Sequence, residues 1–579
     1  MLLFLIKPLR RLNGHPSKRK RFLMSFVLML LCLLIAYGNP SDIAAPSLSE
    51  INGQSGFDVV VYGGTPAGIA ASIAAAREDA HVLLIEPGSH IGGMITSGLC
   101  ATDTGKGYCI GGLSREFFER LGRLYGKPIS WYMEPRVAEA VFSEMLEEAG
   151  VQVVFNERLR EHAGVRKMGS DICTIVMENG HAYSAEVFID CTYEGDLMAQ
   201  SGVSYTIGRE SSREYGESMA GVRPFTAAHN FNYKVSAYDE SGQLLPEIYD
   251  GLKGEAGEAD HKVQAYNYRI CITDLASNKL PFPRPKDYDP SRYALLVRWL
   301  DVVKEAHKDR SLVVGDVLSL FALPNGKYDV NNSGPFSTDY IGGSWDYPDA
   351  DYAVREEIIN DHKTYMQGLL YFLANDPQVP EELRKDMSRW GLAADEFTDN
   401  GNWPYCLYIR EARRMTGDYV MTQKDIQENI YKPDAIGMGS YNSDSHNVQR
   451  VVTPEGYVEN EGDMQVAVKP YQIPYRVMLP KVSEATNLLV PVCVSASHVA
   501  YSTLRMEPQF MIMGQAAGTA AVIAVDSHLS VQDIDVELLQ NKLRASGAIL
   551  GLPNFWRILN AILWMGLLGA LYKSLFRAA

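Results

Sequence analysis

Unbroken apolar runs alternate with abrupt breaks along the first third of the chain. Residues 57–62 (FDVVVY) form one such run, and a Val-rich stretch with so little polar interruption predicts a strand buried on both faces of a parallel sheet. Gly63, Gly64 and Thr65 end it. Pro66 suits the first position of a helix, and Ala67, Gly68, Ala70, Ala71 and Ala74 give that helix a small-residue surface able to lie close to a sheet. Residues 81–86 (HVLLIE) predict a second buried strand that ends in an acid. The order strand, glycine turn, helix, strand, acid, with Glu86 placed 23 residues after Gly63, is that of a dinucleotide-binding unit. In such a unit a pyrophosphate rests on the helix N-terminus and the acid holds a ribose. Thr65 stands where the middle glycine is expected, and Gly64 or the Thr65 hydroxyl is the compensation available.

Beyond Glu86 a second glycine- and Ser/Thr-rich loop, residues 90–104, contains Gly92 and Gly93 and lets backbone pass close to the cofactor. Helical spacing covers 113–125 and 135–149, the latter starting at Glu134 and Pro135. From Val151 the period shortens to strands (VQVVF, DICTIVM, HAYSAEVFIDCT), read as a meander whose last strand returns to the main sheet at 187–190. Thr192, Gly195 and Asp196 then emerge at the carboxyl end of a central strand, where open α/β sheets bind ligands. Residues 205–473 hold most of the Trp, Tyr, Pro and Asn-rich loops together with a helix over 351–374. Residues 487–491 re-enter a strand, and a small-residue helix follows over 507–524.

The chain's 579 residues, 46% of them hydrophobic, suffice for at least two packed domains, and the formal net charge of −16 excludes a nucleic-acid partner. Basic residues 18–21 precede an apolar run over 22–37, the layout of a secretory signal or uncleaved anchor, which predicts an exported protein that is periplasmic, extracytoplasmic or membrane-anchored. Residues 551–579 are apolar and aromatic, then basic, and suit either a membrane surface or packing on a domain. No pair of cysteines is spaced C-x-x-C, so neither a metal site nor an iron–sulfur cluster is expected. Buried thiols are expected, a disulfide between Cys100 and Cys109 being the alternative.

The ordered segments YGGTPAG, LLIEPGSHIGGM, FIDCTYEGDLMAQSGVSY and SHVAYSTLRMEPQFMIMGQAAGTAA resemble the FAD-dependent oxidoreductase family of glutathione-reductase-like, two-dinucleotide-fold flavoproteins, over about residues 57–550. The resemblance implies an α/β fold in which a Rossmann-like FAD-binding domain (57–204 and 474–550), split in sequence, carries an inserted α+β substrate domain (205–473). Outside the stretch that the resemblance covers lie the signal or anchor with spacer (1–56) and the apolar C-terminal segment (551–579) read from the residues. It implies FAD as cofactor, with Gly63, Gly64, Thr65 and Gly68 at the pyrophosphate, Glu86 at the adenosine ribose, and Gly92 and Gly93 on the flavin side. Asp190, Thr192 and Asp196 would lie near the adenosine half. Gly514, Gln515 and Gly518 would sit on a helix, opening at Glu507, whose N-terminus faces the flavin.

A flavin that oxidises an alcohol or amine needs a nearby base. His498 and Arg505, just before that helix, and His446 from the inserted domain are the candidates, with Arg410 as a further residue able to reach in. Arg410, Arg413 and Arg414 read equally as a salt-bridged helix face, and His90 as a covalent tether for the flavin. Aromatic residues Trp345, Tyr347, Trp403 and Tyr405 suggest a carbohydrate or other small polar substrate. With no second glycine-rich βαβ unit for a nicotinamide, electrons are expected from the substrate and pass to an acceptor that the sequence does not specify. The competing class is a ligand- or partner-binding protein on the same fold that does not turn over.

Overall fold

The computed structural model describes residues 53–552 apart from Asn429. The expected signal or anchor and the C-terminal apolar segment therefore lie outside the described residues.

Strand β1 (Gly53–Tyr62) runs into helix α1 (Pro66–Ala76) and then strand β2 (Val82–Glu86), which pairs parallel to β1 with Val59 opposite Val82 and Tyr62 opposite Ile85. Helices α2 (Gly112–Leu124) and α3 (Pro135–Ala149) lead to β3 (Gln152–Phe155). β3 pairs parallel to β2, so it is the outer strand of the parallel sheet and not the first strand of a meander. The expectation failed because a four-residue strand after a helix carries no local mark of which neighbour it joins. The antiparallel meander is β4 (Val165–Met168), β5 (Asp171–Val176) and β6 (Ala182–Asp190).

β6 is the hinge of the architecture. One edge pairs parallel with β1, Tyr62 opposite Asp190. The other edge is shared: β5 takes its first half, and the two-residue strand Leu488–Leu489 takes Phe188 and Ile189 in parallel. A strand nearly 300 residues downstream thus completes the sheet begun at Gly53, and the split nucleotide-binding domain follows from that pairing. Side-chain alternation sorts the central strands into two cores. Val59, Val61, Leu84 and Ile189 face one core with α1 and helix α4 (Glu507–Ser527), while Val60, Leu83, Ile85 and Phe188 face the meander. Both faces are covered, which is why β1 lacks polar alternation.

α4 packs along α1 at two glycines. A Cβ on Gly514 would lie 2.1 Å from the Ala67 carbonyl oxygen, and one on Gly518 2.0 Å from that of Ala71. Of the described helices α4 is the one long and apolar enough to cross a membrane, yet 83% of its most apolar window is buried within the protein, as befits a core helix.

The intervening chain builds a five-stranded antiparallel sheet in the order Leu318–Ala322, Lys327–Asn332, Ile270–Thr273, Gly391–Ala393, Lys279–Leu280, flanked by helices that include Tyr352–Asn375. Cys100 and Cys109 are free buried thiols, so no disulfide joins them. Glu134, Asp395 and Glu396 converge, and the amine of Lys327 lies among them, 2.8 Å from Glu134 and Asp395 and bonded to Glu396, as their counter-charge.

Candidate active site

At the carboxyl ends of β1 and β2 the turn is shaped by what its neighbours permit. Gly63 has φ +102°, and a Cβ there would come within 2.8 Å of the Cys191 and Thr192 backbone. Gly68 is equally constrained, since its Cβ would meet the Gly63 carbonyl oxygen at 1.9 Å. Thr65 is the N-cap of α1: its hydroxyl accepts from Gly68 N at 3.3 Å and donates to the Cys191 carbonyl at 2.8 Å. The residue that departs from the glycine pattern is thus used for capping and for fastening α1 to β6. Glu86 accepts from Gly64 N at 2.8 Å and from Gly88 N at 2.6 Å, tying the two turns together. Burial pushes its carboxyl up to about 7 against the pull of those two amides.

The turn after β6 uses its polar atoms internally. Asp190 accepts from Thr192 N at 3.0 Å, Thr192 Oγ1 at 2.7 Å and Met198 N at 2.8 Å, while Thr192 Oγ1 accepts from Gly195 N. Burial raises Asp190 to about 6. Asp196 is held by Arg355 at 2.7 Å and Arg413 at 2.7 Å, both from the inserted region. In the structure Asp190 and Thr192 build the turn, and Asp196 anchors the inserted region over the strand ends. A cavity of about 150 Å³ remains there, bounded by Tyr62, Pro87, Arg158, Thr192, Tyr352 and Arg355.

Directly against the first glycine turn, where Gly92 N donates to the Gly64 carbonyl at 2.7 Å, Gly92 (φ +93°) and Gly93 (φ +50°) turn the chain tightly, and a Cβ on Gly93 would lie 2.4 Å from the Tyr193 hydroxyl. That hydroxyl accepts from Met94 N at 3.0 Å and donates to Glu507 Oε1 at 2.8 Å. Tyr193 therefore joins the second glycine turn, the turn after β6 and the start of α4. The other carboxyl oxygen of Glu507, Oε2, is buried without a hydrogen-bond partner. Gly514, Gln515 and Gly518, expected at the flavin, have structural duties. The glycines admit α1, and Gln515 accepts from Leu113 N and donates to Ser546 Oγ.

The candidate chemistry residues fall into two buried networks. In the first, His446 Nδ1 lies 2.5 Å from Asp339 Oδ2, and Asp339 also receives Arg410 at 2.9 Å and Asn267 at 3.0 Å. Although burial opposes it, Arg410 and His446 hold Asp339 well below the usual carboxylate range. Burial, then Arg410, lowers His446. Arg505 donates to the Asp444 carbonyl at 2.7 Å and to Tyr408 Oη at 3.3 Å, with Asp444 Oδ1 3.9 Å from His446 Nε2. In the second network His498 Nδ1 lies 2.9 Å from Glu411 Oε2, which Arg414 and Gln264 also engage. His498 and Arg414 hold Glu411 down to about 2 against the effect of burial. Gln264 links the networks, accepting from His446 N.

Asp339, Tyr408, Asp444 and Glu411 were not singled out from sequence. Asp444 is the one with a local signal, in SDSH two residues before His446. Arg410, Arg413 and Arg414 lie on an irregular segment that ends in the strand Arg414–Met415, not on a helix, because each guanidinium has its own distant acid. His90 is held between Glu139 and Asp399 at 2.9 Å each and stacks on Tyr405. Trp403 and Tyr347 are buried, and Tyr347 bonds Glu194, so neither presents a stacking face.

These features, a parallel sheet with a glycine turn, an N-terminal helix and an acid on the second strand, define a dinucleotide-binding flavoprotein of the Rossmann type. A family model described as FAD dependent oxidoreductase matches residues 58–543, and the chain belongs to that family, whose cofactor is FAD. No curated protein matches the chain. Similar solved structures include thioredoxin reductase of Lactococcus lactis (21% identity, TM-score 0.17, 23% of this chain and 35% of that one). They also include a flavoprotein/dehydrogenase of Cytophaga hutchinsonii (15%, TM-score 0.21, 26% and 42%) and p-nitrophenol 4-monooxygenase of Pseudomonas putida DLL-E4 (12%, TM-score 0.20, 27% and 46%). The chain thus spans less than half the length of each.

The residues fit the cofactor. Pro66 has no N–H and Thr65 takes Gly68 N, so α1 offers a pyrophosphate its Ala67 amide and the positive end of its dipole, Glu86 suits ribose hydroxyls, and Glu507 Oε2 lacks a partner that a flavin ring could supply.

Proposed function

We propose that the protein is an exported FAD-dependent oxidoreductase that removes hydride from a small polar, carbohydrate-type substrate. Bound FAD supplies the two-electron acceptor. α1, Gly64 and Glu86 would hold the pyrophosphate and ribose, and the turn at Gly92 and Gly93 with Glu507 would border the ring. His446 takes the substrate hydroxyl proton on Nε2, because Asp339 accepts the Nδ1 proton and fixes the tautomer that leaves Nε2 free to accept. Burial and Arg410 keep the imidazole neutral at physiological pH, as a base requires. Arg505 and Tyr408 supply donors beside it for a polar substrate. The observation that carries this reading is the His446, Asp339 and Arg410 network, set within the same buried polar cluster as Arg505, which precedes α4 by two residues.

The carbohydrate preference rests on the density of polar groups, not on aromatic stacking. Export rests on the basic and apolar N-terminal sequence. The test is anaerobic mixing of the yellow holoprotein with a panel of polyols and sugars. Bleaching of the flavin band by one of them supports oxidation, and a flavin left oxidised by all of them favours the ligand-holding alternative.

A further inference from the structure

Glu507 is buried at the first turn of α4, one oxygen held by Tyr193 and the other without a partner. Buried polar atoms are almost always hydrogen-bonded, so an orphan oxygen marks a place where something else belongs. Glu507 is bonded to the Tyr193 hydroxyl from the turn after β6, and the Cys406 thiol of the inserted region is near enough to feel its charge. Among the described residues no arginine, lysine or histidine pairs with it. An ionised carboxylate there would be a buried charge without a counter-ion, a state that such groups avoid by taking up a proton.

Resting on the flavin-binding reading, we infer that Glu507 works as a neutral carboxylic acid that donates its Oε2 proton to an acceptor atom on the flavin ring, while Tyr193 fixes the orientation through Oε1. Burial raises Glu507 to about 8, and the Tyr193 bond pulls it back, so the neutral form dominates at neutral pH. Above that value the donor becomes an anion, weakening FAD binding and disfavouring the reduced cofactor. Gly93 belongs to the same device, because any side chain there would displace the Tyr193 hydroxyl.

The test measures FAD dissociation by fluorescence and the flavin midpoint potential from pH 6 to 9.5, on the wild-type holoprotein and on Glu507→Gln and Tyr193→Phe. The wild type should lose about tenfold in FAD affinity across an inflection near Glu507's value, with a matching fall in potential; Glu507→Gln should lack that inflection and keep only the one that Glu86 contributes near its own value of about 7. Tyr193→Phe should move the inflection to higher pH, a shift that a purely structural tyrosine would not cause. Should Glu507→Gln fail to fold, infrared difference spectroscopy of the wild type on flavin reduction should show a protonated carboxyl signal that disappears at high pH. A wild type that holds FAD with the same pH profile as Glu507→Gln, or that lacks the carboxyl signal, overturns the inference and leaves the flavin reading intact. A wild type that neither retains FAD nor takes it up overturns both.

Discussion

His446, Asp339 and Arg410 act as one unit. Removing the base through His446→Gln should lower kcat by about 10²- to 10⁴-fold with little change in FAD content, measured by anaerobic flavin reduction. Because burial and then Arg410 lower the His446 value, the wild-type rate should rise with pH and reach its plateau below histidine's ordinary 6.5. A plateau reached only above that value would contradict the role. Glu507 makes a separate prediction about stability. Its folded value of about 8 exceeds that of an unfolded carboxyl, so its contribution is full at acid pH and is lost as pH rises to about 8. In thermal unfolding of the apoprotein, Glu507→Gln should therefore gain on the wild type between pH 5 and 8, by a few kcal/mol at about 1.4 kcal/mol per pH unit. An advantage that stays constant with pH would contradict it. The sequence exposed the histidines because few residue types serve as bases. It hid their acids: Asp339 is 107 residues from His446 and Glu411 is 87 from His498, and only tertiary folding brings them together.

The two glycines of α4 were legible as a small-residue motif but not as a packing device, since α1, which they meet, lies more than 400 residues earlier in the chain. Gly518→Val should force the helices apart and destabilise the protein by at least about 3 kcal/mol, read by denaturant unfolding, with FAD loss following the loss of structure. Stability within about 0.5 kcal/mol of wild type would show that the helices adjust freely. β1, α1 and β2 stood clear in the sequence because each carries its own local signal: apolar continuity, a proline start, a terminal acid. β3 did not, because pairing partners are a property of the sheet and not of the strand. Thr65 departs from the glycine pattern, and its hydroxyl caps α1 and reaches Cys191, a contact that no local sequence signal announces.

Across the whole molecule the inserted region is clamped onto the strand ends by Arg355 and Arg413 on Asp196. Asp196→Ala, which leaves two guanidinium groups without their shared partner, should cost about 3 kcal/mol and loosen the contact over the cofactor site, raising FAD dissociation. An unchanged dissociation constant would show that the clamp does not guard that site. The split domain could be read in advance from the late return of strand and glycine-rich helix, whereas the clamp depends on charges from three distant segments. Everything functional depends on the cleft at the carboxyl ends of β1, β2 and β6 holding FAD. The visible absorption spectrum of the purified, FAD-reconstituted protein, followed anaerobically during addition of the polyols proposed as substrates, tests this most directly. One flavin per chain that bleaches as substrate is added is the predicted result, and a protein that remains colourless after reconstitution would contradict it.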